Sequence, residues 1–188
     1  MKKCVISISV LLLIVTNVYS ASFGDINIPE TLAAGKDKLI LNGAGYRTKF
    51  YMKIYVGALY LTEKCADQNK IINADKPMAI KMHIVSSLIS SKKMIKAVNA
   101  GFENATANNT APIQNEIKQL LSIFQEAIEI GDVYDLVYVP GKGILASKNG
   151  VLKGTIKGLA FKKALFGIWL CDSPADKYLK KGMLTGKY

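Results

Sequence analysis

The chain has 188 residues, with 25 Lys and Arg against 14 Asp and Glu and a formal net charge of +11. Half of it is hydrophobic, which excludes a disordered or low-complexity chain, and the length supports one domain with a proper core rather than two. The single His excludes a His-rich metal site and leaves only one candidate for a histidine base.

The N-terminus reads Met1-Lys2-Lys3, then an apolar run from Val5 to Val18, then Val18-Tyr19-Ser20 before Ala21. A basic start, a short apolar stretch and small residues at positions −3 and −1 of a cleavage site make a secretory leader. The run falls short of the ~20 apolar residues that span a bilayer. The sequence therefore predicts a cleavable signal peptide over residues 1–20 and one domain over 21–188. That domain is expected to be periplasmic or secreted, with no transmembrane segment once the leader is gone. Two cysteines remain, Cys65 and Cys171, and an oxidising compartment permits one disulfide between them. Two free thiols are the equal alternative. The pair lacks the spacing of a redox or zinc motif, and no metal or cofactor is expected.

Lys38 to Asn42 reads as a short strand ending in the turn Gly43-Ala44-Gly45. From Arg47 to Leu61 the sequence alternates. Phe50, Met52, Ile54, Val56 and Ala58 fall on one side, and Arg47, Lys49, Tyr51, Lys53 and Tyr55 on the other. Period-two alternation predicts a strand with one buried face, and fifteen residues predict a bend or bulge within it. Met78 to Val85 is a further strand. Ser90 or Ser91 caps a helix with Met94, Val98, Phe102 and Ala105 on its stripe, and a second helix carries Ile113, Ile117, Leu120, Phe124 and Ile128. Strands follow at Val133–Val139, Ile144–Ser147 and Val151–Ile156, joined by Pro140-Gly141-Lys142-Gly143 and Lys148-Asn149-Gly150. Leu159 to Leu170 is a helix, and Asp172-Ser173-Pro174 opens the last one. Blocks of strands and helices predict an α+β domain with a mostly antiparallel sheet.

Gly43-Ala44-Gly45 lacks the third glycine of a dinucleotide fingerprint and the Gly-Lys-Ser/Thr of a P-loop, and strand follows it, so nucleotide binding is rejected. It reads instead as a turn that delivers Arg47. Arg47 is the sole Arg in the chain; every other basic residue is Lys. A guanidinium fork suits bidentate capture of a carboxylate or delocalised oxyanion better than an ammonium does. A salt-bridged Arg on a sheet edge is the plain alternative. His83 stands mid-strand with no nucleophile or carboxylate dyad near it in sequence. The lysines are dispersed, which argues for a solvated surface rather than a nucleic-acid patch, while favouring loose contact with anionic headgroups.

The stretches Leu41-Asn42-Gly43-Ala44-Gly45-Tyr46-Arg47-Thr48-Lys49-Phe50, Lys53-Ile54-Tyr55-Val56-Gly57-Ala58-Leu59-Tyr60-Leu61, Tyr138-Val139-Pro140-Gly141-Lys142-Gly143 and Ala164-Leu165-Phe166-Gly167-Ile168-Trp169-Leu170 together resemble the chalcone isomerase fold family. The likeness is to its bacterial exported branch in particular. The resemblance implies an open-faced β-sandwich, a large antiparallel sheet with a helical layer and a ligand cleft between them. Arg47 matches the Arg that steadies the substrate phenolate in plant chalcone isomerases. Tyr55 stands where those enzymes carry a Thr that orders a catalytic water. In the fatty-acid-binding proteins of this fold, Arg and Tyr at these places hold the carboxylate together. In an ungapped comparison, the isomerases' helical Tyr and Asn fall at Ser90 and Ala97, and a further cleft position reads Ile168.

The resemblance thus implies a non-catalytic binder of a fatty acid or similar apolar carboxylate, with Arg47 and Tyr55 as its ligand-binding residues. Two alternatives stand beside it. One is an intramolecular lyase that cyclises a chalcone-like enone, with Arg47 stabilising the oxyanion. The other is an envelope interaction module in which Arg47 is structural.

Overall fold

The structure, a computed structural model, describes residues 20–186; the leader expected over residues 1–20 lies outside them except for Ser20. β1 (Ser20–Phe23) and β2 (Ile26–Pro29) pair as a separate hairpin. Seven strands then form one antiparallel sheet in chain order: β3 (Thr31–Ala34), β4 (Asp37–Lys49), β5 (Met52–Leu61), β6 (Met78–Ile84), β7 (Val133–Val139), β8 (Gly143–Lys148) and β9 (Val151–Ile156). α1 (Gln68–Asn73) sits between β5 and β6, and α2 (Ser91–Ala105) and α3 (Gln114–Ile123) between β6 and β7. α4 (Leu159–Leu170) and α5 (Lys177–Thr185) follow β9. The arrangement is the α+β open-faced sandwich the sequence led us to expect.

The main core lies between sheet and helices, where Tyr55, Leu59, Ile80, Met82, Tyr134 and Leu136 meet Phe102, Phe161, Phe166, Ile168 and Trp169. A second, smaller core occupies the other face, where Val56, Ala58 and Tyr60 meet Phe23 and Ile28 of the β1–β2 hairpin. The Tyr60 hydroxyl donates to the Pro29 carbonyl at 2.7 Å. β5 is therefore buried on both faces from Ile54 to Leu61, not on one. The alternation had suggested otherwise because the short N-terminal strands that cover the second face carry little pattern of their own.

Two further expectations are corrected. The run from Arg47 to Leu61 is not one bent strand. It is the end of β4, a two-residue turn at Phe50-Tyr51, and all of β5, with Lys49 paired to Met52. Phe50 and Tyr51 take φ of 49° and 65°, the left-handed conformation that side chains disfavour by ~1 kcal/mol or more per residue. Neither residue is a turn former, so the sequence concealed the turn. Nor is Gly43-Ala44-Gly45 a turn: it lies inside β4. A Cβ on Gly43 would stand 2.1 Å from the Gly182 carbonyl oxygen, and one on Gly182 would stand 2.3 Å from that of Ala44. The glycines let the backbone of α5 lie directly on the strand.

The other elements fall near their expected places, with shifted ends. α3 stops at Ile123 rather than running to Ile128. Phe124 caps it and turns its buried ring towards Tyr134, 5.1 Å away between centroids. α5 begins at Lys177, not at Asp172, because Asp176 is the better cap: its carboxylate accepts from the amides of Tyr178 and Leu179. Asn149-Gly150 forms its turn with φ of 52° and 78°.

Candidate functional site

Arg47 on β4 and Tyr55 on β5 are direct cross-strand partners, so their side chains leave the same face of the sheet. That face carries the helical layer. The next pair on it, Gly45 and Gly57, receives Leu179 of α5. Arg47 therefore lies just beyond the N-terminus of α5. The register is held by a bulge on each side, Asn42 on β4 and Ile54 on β5 being the unpaired residues. Asn42 is buried and uses its amide fully, donating to the carbonyls of Cys65 and Met183 and accepting from the Cys65 amide. The two bulges thus lock in place the strand segment that presents Arg47.

Nη1 of Arg47 donates to the Thr48 carbonyl at 2.5 Å and lies 3.4 Å from Oδ2 of Asp176. Asp176 is held independently of the arginine. Its Oδ2 accepts from the amide and hydroxyl of Thr48, both at 3.0 Å, and its Oδ1 from the Tyr178 and Leu179 amides at 2.8 and 3.0 Å. Burial works to raise its pKa, but these donors outweigh it and hold the carboxyl below its ordinary value. An ion pair this long and partly exposed contributes on the order of 0–1 kcal/mol. It orients Arg47 without using it up. Nε and Nη2 have no partner among the described residues, and the side chain is 24% exposed, open to a ligand at the sheet–helix border.

Tyr55 is buried, and its hydroxyl oxygen accepts from the indole N–H of Trp169 on α4 at 2.8 Å. Burial lifts the phenol to about 12, against the lowering effects of the Trp169 bond and the Arg47 charge. At neutral pH it is therefore a donor and no base. No acceptor for its proton exists among the described residues. A phenol hydroxyl and, on the paired residue of the adjacent strand, a guanidinium with free donors form an arrangement that can take a carboxylate or oxyanion.

The structure therefore brings together the two residues singled out in the sequence and adds three that sequence reasoning missed. Asp176 and Thr48 fix Arg47, and Trp169 fixes Tyr55. Only the capping role of Asp176 had a sequence signal, an acid just ahead of an amphipathic helix. His83 lies elsewhere: its neighbours Met82 and Ile84 point into the helix-side core, so its own side chain leaves the opposite face. Ser90 caps α2, and Ala97 is on that helix's exposed side, whereas Met94 and Val98 face the core. The ungapped comparison therefore does not bring Ser90 or Ala97 to the interlayer space. Ile168 is there, packed against Gly101. Cys65 and Cys171 are half-buried and stand as free thiols in this structure. A pocket of about 220 Å³, lined in part by Leu61, Cys65, Ile71 and Met78, lies at the far end of β5 from Tyr55.

A seven-stranded antiparallel sheet with helices on one face defines a sandwich of the chalcone isomerase type. The chain belongs to the chalcone isomerase-like family, which it matches over residues 20–185. Among solved structures it is similar to an Arabidopsis thaliana fatty-acid-binding protein, with 16% identity and a TM-score of 0.66. The match covers 85% of this chain and 91% of that one, and at this identity the likeness is one of fold. No curated protein matches the sequence.

Proposed function

We propose that this protein is an exported, non-catalytic binder of a fatty acid or similar apolar carboxylate. The observation that carries the reading is the Arg47–Tyr55 pair, with a guanidinium held by one nitrogen and a neutral phenol whose proton is unclaimed. A carboxylate would accept from Nε and Nη2 of Arg47 and from the Tyr55 hydroxyl, and so meet charge and hydrogen bonds together. The tail would enter the apolar layer between the sheet and α2 and α4. That layer is filled by side chains in this structure, but Met78, Met82, Met94 and Met183 are among them. Methionine is unbranched and flexible, so such a core yields to a guest more readily than one of branched residues. The fatty-acid-binding neighbour is consistent with this reading, and the leader pattern supports export.

The test is calorimetric titration of laurate or palmitate into delipidated protein and into Arg47→Ala. Binding by the former and not the latter is expected, and equal binding by both would sink the clamp. The packed interlayer, Phe166 included, favours a second reading, an envelope interaction module without a small ligand, and absence of binding by either protein would select it. The enone-cyclising reading is checked on the same samples by following chalcone absorbance, where saturable turnover would replace our proposal.

A further inference from the structure

Two hairpins of this sheet use the same two-residue turn with opposite chemistry. β8 and β9 are joined by Asn149-Gly150, the residues that left-handed φ values favour. β4 and β5 are joined by Phe50-Tyr51 at nearly the same φ values, where bulky side chains are disfavoured. These aromatics return nothing to the fold by burial. Phe50 is 81% exposed, Tyr51 fully exposed, and Met52 beside them 47% exposed. The chain thus places three consecutive large apolar residues on a convex tip, at a position where it demonstrably has a better turn available.

The surroundings of the tip are cationic. No acid occurs from Lys38 to Thr62. Lys49 and Lys53 flank the turn without a carboxylate partner among the described residues. Their ammonium groups lie over aromatic rings, Lys49 5.7 Å from the Phe50 centroid and Lys53 4.1 Å from that of Tyr46. α5 starts alongside, joined to β4 by the Thr48–Asp176 bonds, and adds Lys177 and the exposed Tyr178. A stable protein–protein interface of standard size buries about 800 Å² on each side, far more than a two-residue tip can offer. A bilayer needs no such area. Aromatic rings settle at the boundary of headgroup and hydrocarbon, and lysines around them reach back to lipid phosphates.

We propose that the Phe50-Tyr51 turn is a membrane-docking tip that inserts into an anionic lipid surface, with Lys49 and Lys53 engaging the headgroups. This sharpens the loose contact expected from dispersed lysines into one defined hairpin. It does not depend on Arg47 holding a carboxylate.

The test is flotation of the protein with vesicles of equal parts phosphatidylcholine and phosphatidylglycerol, and with vesicles of phosphatidylcholine alone. The informative variant is F50N/Y51G, which gives this turn the residues used at Asn149-Gly150. Its melting temperature should be equal to or above that of the parent, and its partitioning onto the anionic vesicles about tenfold or more weaker. Lys49→Ser and Lys53→Ser should each weaken partitioning about fivefold, the factor expected for one lysine at an anionic surface, and the loss should shrink as salt is added. Three results would overturn the proposal. They are unchanged partitioning of F50N/Y51G, a lower melting temperature for it (the aromatics would then serve the fold), and failure of the parent protein to bind the anionic vesicles, which would leave the tip to a protein partner.

Discussion

Two cations lie at the sheet–helix border of this protein, and they are treated in opposite ways. Lys162 of α4 is fully buried, and its ammonium donates to the carbonyls of Ile71, Ile72 and Ala74 at 3.0, 2.9 and 2.7 Å. Those are the orphan acceptors at the C-terminal end of α1, and three donors meet three acceptors. Arg47 is half-buried, engaged through one nitrogen, and faces a phenol with an unclaimed proton. A buried cation whose hydrogen bonds are all made within the protein is a piece of the fold. A cation kept oriented with donors to spare is a place for a ligand. The comparison, more than the rarity of arginine in the chain, singles out Arg47.

The contrast can be broken at either end. Lys162→Met should leave one buried and two half-buried carbonyls without this donor and lower stability by about 3 kcal/mol, with a fall in melting temperature of roughly 10 °C for a chain of this size. Laurate affinity of the folded protein should be unchanged. Arg47→Ala should do the reverse, with laurate affinity down about a hundredfold, equivalent to ~2.7 kcal/mol, and stability within about 1 kcal/mol of the parent. Thermal melts and calorimetry on both variants read the crossover directly.

Smaller effects sharpen the same picture. Tyr55→Phe should weaken laurate binding about fivefold, the loss of one hydrogen bond of ~1 kcal/mol, and should also lower stability because the Trp169 N–H loses its acceptor. Asp176→Asn keeps a capping side chain for α5 and removes the negative charge beside Arg47. A rise in laurate affinity of about twofold to fivefold is expected, with stability down by about 1–2 kcal/mol because the amide nitrogen cannot accept from Thr48 as Oδ2 does.

The pH dependence of stability should separate the two cations as well. Burial, with the neighbouring Lys163 charge, pushes Lys162 down to about 8, against the opposing pull of Asp75, from an unfolded value near 10.4. Between those values the unfolded state binds more protons than the folded one, so the Lys162 contribution makes stability rise from about pH 8 to about pH 10.4. Urea melts across that window should show a rise in the parent protein that is absent from Lys162→Met.

What was legible in the sequence was whatever repeats or punctuates. β6 to β9, α2 and α4 were marked by period and by Asn-Gly or Gly-rich turns, and they fall where expected. Arg47 and Tyr55 were legible through composition and family likeness. Their being cross-strand partners was not, because the turn that pairs them is built from Phe50 and Tyr51, residues that read as strand. The strands β1 to β3 are too short to show a period, and α1, six residues long, makes fewer than two turns, so none of them was foreseen. Gly43 and Gly45 drew attention for the wrong reason. Glycine marks close backbone approach as readily as a turn, and only α5 lying on β4 shows which applies. Asp176, Thr48 and Trp169 act through contacts distant in sequence, and no local pattern announces such contacts.

The claim that Arg47 is a ligand cation rather than a structural one is tested most directly by native mass spectrometry of protein purified without delipidation. The account predicts a long-chain carboxylic acid released from the parent protein and absent from an equally folded Arg47→Ala. An equal amount of the same acid in both proteins, or no acid in the parent, would contradict it.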